Sequence, residues 1–382
     1  MSLIVQSSTL WPFFFFSLLL AFLCDNESEY TYGDYGERIY VYKNRTFYTV
    51  LVISIVFFVG LRRWCNDTGE YREIYEYITP ATGSIFRGIR LWKLGESPGF
   101  ELVNRILKHL GCSSQTYLLA YSVATNGLYS WFLRKHSTHF WLSFFLFWTM
   151  GCYIFTAAAI RQCAAMAIGL IGVDYALEEK WRPFVIWILI SALFHPYTIL
   201  YLILPWLRFS PWTKPTWYLL FGSVAAGFGL QLIVGVLLSV ASLMGREYSE
   251  GSFSGEGVSL FRLLVIWAPI ILSFLLREQT MRSEDVKNNI FLNLSFINAG
   301  LMFVALFGTA NYFARLANYF LFFQTLALPW MLRFIKVDNR RTVRYFIIVC
   351  YFLYFFYTNT IYVPFNRYFA KMSLWEYLTQ AI

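Results

Sequence analysis

The chain has 382 residues, 58% of them hydrophobic and 21% aromatic, with a mean hydropathy of +0.51. Charged residues make up 14%, against about 25% in soluble domains, so a soluble fold could not hide this much apolar surface and lipid must cover much of it. The net charge of +9 points to membrane topology and headgroup contact, not to nucleic acid.

A membrane span needs about 20 mostly apolar residues. In chain order the candidate spans are 3–24, 45–61, 115–133, 138–158, 160–177, 183–207, 216–241, 258–276, 288–309, 312–333 and 345–363. The first, around LWPFFFFSLLLAFLC, lacks a basic leader and a small-residue cleavage site and reads as a retained helix. Three stretches are polar: acidic, Tyr-rich 25–44, the long segment 62–114, and GREYSEGSFSGEGVS at 245–259. Within 62–114, GFELVNRILKHL is amphipathic and is expected to lie along the interface. The fold class expected is all-α, a polytopic transmembrane bundle of about 11–12 segments forming one integral membrane domain over 1–382. The six cysteines show no CxxC spacing, so neither a metal site nor a disulfide framework is expected.

Orientation follows from Lys and Arg. The connection RFIKVDNRRTVR is the most basic short loop and is expected inside, as is REQTMRSEDVKNN two spans earlier. Counting back puts 245–259 outside and LRFSPWTKPT inside. Counting forward puts Arg134–His136 and EEKWR (178–182) inside. The two counts agree only if 183–207 begins and ends on the same side. It is therefore read as a broken or re-entrant pair of half-helices with its tip at Phe194-His195-Pro196, where proline interrupts the helix. Irregular backbone at membrane depth implies a lined cavity. One loop disobeys: 62–114 is rich in Arg and Lys yet falls outside, so its cations are expected to serve something other than topology.

Arg161, in IFTAAAIRQCAAMAIGLIGV, has apolar residues on both sides. A charge at membrane depth costs several kcal/mol, with estimates from about 3 to above 10. Such an arginine either faces a polar cavity and an anion, for which its planar fork is suited, or it snorkels or pairs with a buried carboxylate. In the deduced orientation four polar sites meet at the outer leaflet. They are GLRRWCNDTGEYREIYEYI with Arg62, Arg63, Asp67 and Tyr71; IRQ with Arg161 and Gln162; LFHP with His195; and YFARLANYF with Arg315, Tyr319 and, just before Tyr312, Asn311. Alone, Arg62 and Arg63 read equally well as a helix-end anchor, and His195 as a bundle histidine. Their coincidence at one depth is what marks a site.

The order GLR…D…Y, then a PGF segment, then IRQ…A…AI, then FHP, then R…YF resembles the EpsG family of Wzy-type polysaccharide polymerases, over about residues 45 to 370. Two departures stand out: Asn66 occupies the place where the family usually has glycine before the Asp, and GESPGFE offers both Glu96 and Glu101 for the acidic residue of the family's loop. The resemblance implies a GT-C-like membrane glycosyltransferase of the bacterial cytoplasmic (inner) membrane with its site facing the periplasm or exterior. Its substrates would be oligosaccharide repeat units on undecaprenyl pyrophosphate, joined into O-antigen, capsule or exopolysaccharide. Arg161 and Arg315, with Arg62 or Arg63 and Gln162, are the expected ligands of the pyrophosphate leaving group. Asp67 and His195 are the candidate bases, His195 being slightly favoured. Tyr71, Glu96, Glu101, Asn311 and Tyr319 are expected to contact acceptor or glycan. Neither metal nor cofactor is expected beyond the lipid carrier. Expected partners are the lipid-linked glycans, membrane lipids, a chain-length regulator and a flippase. Rival readings are an O-antigen ligase-like transferase, a lipid-linked glycan transporter and an acyltransferase. The largest loop comes early rather than late, no internal repeat is visible, and His195 has no near Asp in sequence.

Overall fold

The computed structural model describes residues 9–26, 29–33, 38–40, 45–243, 257–308, 310–365 and 369–380. Residues 3–8 of the first expected span, parts of 25–44, and 245–256 of the small external loop lie outside the described residues. The helices are α1 (Leu10–Asn26), α2 (Thr46–Gly60), α3 (Thr68–Glu73), α4 (Pro98–His109), α5 (Ser114–His136), α6 (Phe140–Thr149), α7 (Cys152–Ala158), α8 (Ile160–Leu177) and α9 (Trp181–Ala192). A 3-10 helix (Pro196–Leu207) follows, then α10 (Lys214–Phe228), α11 (Leu230–Leu243), α12 (Leu260–Leu275), α13 (Arg277–Met281), α14 (Val286–Phe307), α15 (Arg315–Met331), α16 (Val337–Phe356) and α17 (Leu374–Gln380). Short strands β1 (Tyr30–Tyr32) and β2 (Arg38–Tyr40) pair with each other, and β3 (Arg62–Cys65) pairs antiparallel with β4 (Phe369–Lys371).

By length and composition Ile160–Leu177, Val286–Phe307 and Val337–Tyr362 can each cross a membrane, and α6 with α7, bent by 49°, makes a fourth candidate. Helices such as α1, α2 and α12 are apolar but shorter. One broken segment was expected, at His195; the chain breaks elsewhere too. Gly151, at φ +84°, separates α6 from α7, Ala159 separates α7 from α8, and Gly229 separates α10 from α11. Arg161 lies in the first turn of α8, as the expected span 160–177 places it.

The core follows from all-round apolarity. Helices α6, α14 and α15 carry apolar residues on every face, and most of their side chains are buried. Several of their polar residues bond across the bundle. Asn298 Nδ2 donates to Ala317 O at 2.7 Å, and Gln324 Nε2 to Asn298 Oδ1 at 2.9 Å. Asn293 Nδ2 donates to Leu207 O and Phe209 O at 2.9 and 2.8 Å.

Chain 181–208 forms a hairpin against α8. Going out, Ser191 Oγ donates to Ala165 O at 2.9 Å. Coming back, the Tyr201 ring closes on Gly169, where a Cβ would meet Cε2 at 2.8 Å. Both ends then meet: Arg208 forms an ion pair with Glu179 and lies 5.7 Å from the centre of the Trp181 ring. Twelve residues of α-helix rise about 18 Å, short of the roughly 30 Å hydrocarbon core, so α9 is too short to cross. The same end of the bundle gathers Lys135–Asp174 at 2.6 Å, His136–Asp174 at 2.8 Å and Arg333–Asp285 at 3.6 Å. The opposite end gathers 62–114, the 193–196 turn and the start of α15.

The hairpin predicts that, in a cysteine-free background, Lys180→Cys and Ser210→Cys react with an impermeant maleimide from the same side of the membrane, and Ser84→Cys from the other. Labelling of positions 180 and 210 from opposite sides would contradict it.

Candidate active site

The site end is assembled from loop closures. After α2, Arg62 folds back: its Nη1 donates to Val59 O at 2.8 Å and its Nε to Thr68 Oγ1 at 3.1 Å. Thr68 Oγ1 in turn donates to Cys65 O at 2.7 Å. Arg62 is 1% exposed, and burial pushes its pKa down to about 10, so it stays charged at neutral pH. Arg72 braces the same turn through Ser114 Oγ at 3.1 Å and Arg62 O at 3.2 Å. Gln115 Nε2 donates to Gly60 O at 2.6 Å. The C-terminal segment closes the turn from the other side, with Met372 N–H donating to Leu61 O at 2.8 Å. Arg63, solvent-facing, pairs with Glu376 at 2.9 Å.

Asp67 is half-buried, immediately precedes α3 and does not cap it. One turn later, Tyr71 packs edge-on against Phe100 at 5.9 Å. It borders a cluster that includes Tyr117, Tyr121, Ile160 and Phe194. Burial holds the Tyr71 hydroxyl above its usual pKa, although the guanidinium and backbone N–H of Arg161 both favour its anion; the Asp67 charge opposes them. The PGF segment docks on the 193–196 turn, with Gly99 N–H donating to Leu193 O at 2.9 Å. A Cβ on Gly99 would sit 2.8 Å from Leu193 Cβ, so this approach needs glycine.

The remaining partners complete a circuit. Arg161 is half-buried, and its Nε has no hydrogen-bond partner among the described residues. Gln162 Nε2 donates to Arg315 O at 2.9 Å. The Arg315 side chain is exposed. One turn further, Tyr319 OH hydrogen-bonds His195 Nδ1. Tyr201 OH anchors this turn by donating to Tyr319 O at 2.7 Å. Contacts thus run from Tyr71 through Arg161, Gln162, Arg315 and Tyr319 to His195, and return through Phe194 and Phe100.

A model of the EpsG family matches residues 45–379. The chain belongs to the EpsG family. Comparisons with curated proteins and with solved structures find no match. EpsG membership together with apolar helices long enough to span a bilayer supports a polysaccharide-polymerase-like membrane protein. The departure at Asn66 has a backbone explanation. Asn66 sits at φ +45°, a left-handed conformation that glycine adopts freely and that asparagine tolerates best among the others.

Other candidates lie apart from the circuit. Glu96 is exposed and ion-paired with Arg90 at 2.6 Å and Lys93 at 3.2 Å, and Glu101 pairs with Arg105. The Arg62 bonds run inward to its own loop. The side chain of Asn311 lies outside the described residues. Sequence reading missed Tyr197, Tyr201 and Tyr312; the hydroxyls of Tyr197 and Tyr312 are 3.5 Å apart beside His195. The i, i+4 spacing of Tyr197 and Tyr201 directly after FHP was the available signal. It also missed β4 and α17, whose pairing with β3 spans some 300 residues of sequence.

The left-handed turn predicts that Asn66→Val lowers stability by about 1–2 kcal/mol, while Asn66→Gly leaves it within a few tenths. Thermal unfolding of both variants in detergent reads the difference, and an unchanged Val variant would contradict it.

Proposed function

We propose that this chain is a Wzy-type polymerase that joins undecaprenyl-pyrophosphate-linked oligosaccharide repeat units at the outer face of a bacterial cytoplasmic membrane. The observation that carries this reading is the Arg161–Gln162–Arg315 tie beside the His195–Tyr319 pair. In the transfer, the bond between the donor sugar carbon and the pyrophosphate oxygen breaks and a bond to the acceptor hydroxyl oxygen forms. The leaving pyrophosphate gathers negative charge as it departs. Arg161 stands in the first turn of α8, where unsatisfied N–H groups and the helix dipole favour an anion. Its buried Nε adds an unpartnered donor. Arg315, at the start of α15, supplies a second cation. Fixed donors aimed at developing charge lower the barrier without reorganising.

The acceptor hydroxyl must lose a proton. With Nδ1–H donated to the Tyr319 oxygen, His195 Nε2 carries the lone pair that receives it. Asp67, near Tyr71, orients the acceptor or Arg161. Arg62 and Arg72 hold the turn that carries Asp67. The 181–208 hairpin is read as a re-entrant pair whose tip presents His195 to the site. The basic end, with Arg134, Lys180 and Arg208, then faces the cytoplasm.

A strain lacking the gene should carry single repeat units in place of a polymer ladder; a strain with no glycan on the acceptor at all would favour a ligase. In the complemented strain, Arg161→Ala and Arg315→Ala should each abolish the ladder while the protein stays in the membrane. Arg→Lys should rescue poorly, because a point charge does not reproduce a bidentate phosphate contact. Arg62→Ala should instead lower the amount of folded protein. Wild-type ladders from both Lys variants would overturn the proposed pyrophosphate contacts.

With purified enzyme, His195→Gln should lower kcat by about 100- to 10,000-fold with little change in KM. Tyr319→Phe should lower kcat less and shift its pH profile. Parental rates for His195→Gln across pH 6 to 8 would pass the role of base to Asp67 or to none.

A further inference from the structure

The basic end of the bundle holds a second cationic feature that the transfer chemistry does not use. A cavity of about 540 Å³ opens between α1, the start of α6, the end of α15 and the first turns of α16. Arg333, Arg340, Arg341 and Arg344 all line it. Among the described residues that line it, Asp25 is the sole carboxylate. Asp25 is itself engaged by His139 at 3.2 Å and by the Trp141 N–H at 2.8 Å. Cations that only encode topology radiate into solvent; these converge on one concavity.

Several of the guanidinium groups are held in place by protein, Arg333 among them through Asp285 at 3.6 Å. Arg340 Nη2 donates to Arg333 O at 2.8 Å, and its Nε to Ile335 O at 3.3 Å. Arg341 lies 5.6 Å from the centre of the Tyr345 ring. Trp330, fully buried, also borders the cavity.

We propose that this cavity binds the phosphodiester headgroup of an anionic phospholipid. The ligand class follows from the charge: several guanidinium forks suit phosphate oxygens. The source follows from the walls. Phe22 on α1 and Tyr345 on α16 line the cavity and are 46% and 54% exposed on the outside of the bundle. Phe346 and Val349 continue that exposed face of α16 away from the basic end. A lipid seated here keeps its acyl chains on the apolar outer faces of α1 and α16 and its phosphate among the arginines. A soluble anion would leave that apolar wall unused. Basic pockets between membrane helices are known devices for such headgroups.

The test titrates the full-length protein in neutral detergent with tail-labelled phosphatidylglycerol. The parent should bind saturably, and phosphatidylcholine should not compete. Arg341→Gln/Arg344→Gln should weaken binding about 30-fold, at about five-fold for each arginine. Arg277→Gln/Arg282→Gln removes two exposed cations outside the cavity and should leave affinity unchanged. Equal affinity of parent and Arg341/Arg344 variant would overturn the proposal, as would equal weakening by the Arg277/Arg282 variant. Displacement of the lipid by equimolar inorganic pyrophosphate would assign the cavity to a soluble anion and overturn the lipid source.

Discussion

Backbone carbonyls and amides freed inside an apolar bundle must find partners within the protein, because lipid offers none. That constraint shapes how the elements of this molecule are tied together. Side-chain amides and hydroxyls take the exposed carbonyls one by one: Gln115 at Gly60, Gln162 at Arg315, Asn298 at Ala317, Asn293 at Leu207 and Phe209, Tyr201 at Tyr319, and Tyr153 at Ile55. Each bond also ties two elements distant in sequence. Some of these bonds also position the candidate site. Gln162 shows this most directly, since its single contact links the helix of Arg161 to the helix of Arg315.

The cations divide into two kinds by what they touch. In 62–114 most are fasteners. Arg62 closes on Val59 and Thr68, Arg105 takes the carbonyls of Ile85 and Arg87, and Arg90 holds Glu96. The surplus positive charge of this segment, expected from the sequence to serve something other than topology, is thus largely accounted for by loop closure. Buried arginine suits this task because its five donors reach several carbonyls at once without losing the proton. Arg161 and Arg315 differ: one has a buried donor unmatched and the other an exposed side chain. Both stand at helix starts, where a cation is disfavoured by the dipole unless an anion is shared.

Much of the helical frame was legible. Expected spans such as 45–61, 160–177 and 288–309 fall on α2, α8 and α14 because an apolar run of that length has few alternatives in lipid. Chain 181–208 folds as a hairpin whose ends meet at Arg208, Glu179 and Trp181; that it re-enters the membrane remains part of the proposal. The breaks at Gly151 and Gly229 were not legible, since glycine inside an apolar run is common and signals no break by itself. The distinction between Arg62 and Arg161 was also hidden. Both are arginines beside apolar helices, and only their hydrogen bonds separate one closed on its own loop from one whose Nε has no partner among the described residues.

Composition and pattern alone determined that this is a multi-helix membrane protein and where several of its helices fall. These follow from transfer free energies and from charge, which act on residue types wherever the residues lie. Tertiary structure decided the rest. It bonded His195 to Tyr319, tied IRQ to the α15 start, laid the C-terminal strand on β3, and gathered four arginines around a cavity at the far end. Such contacts join residues tens to hundreds of positions apart. Directional hydrogen bonds between them depend on helix rotation and on where each helix breaks, and neither is written in the local order of residues.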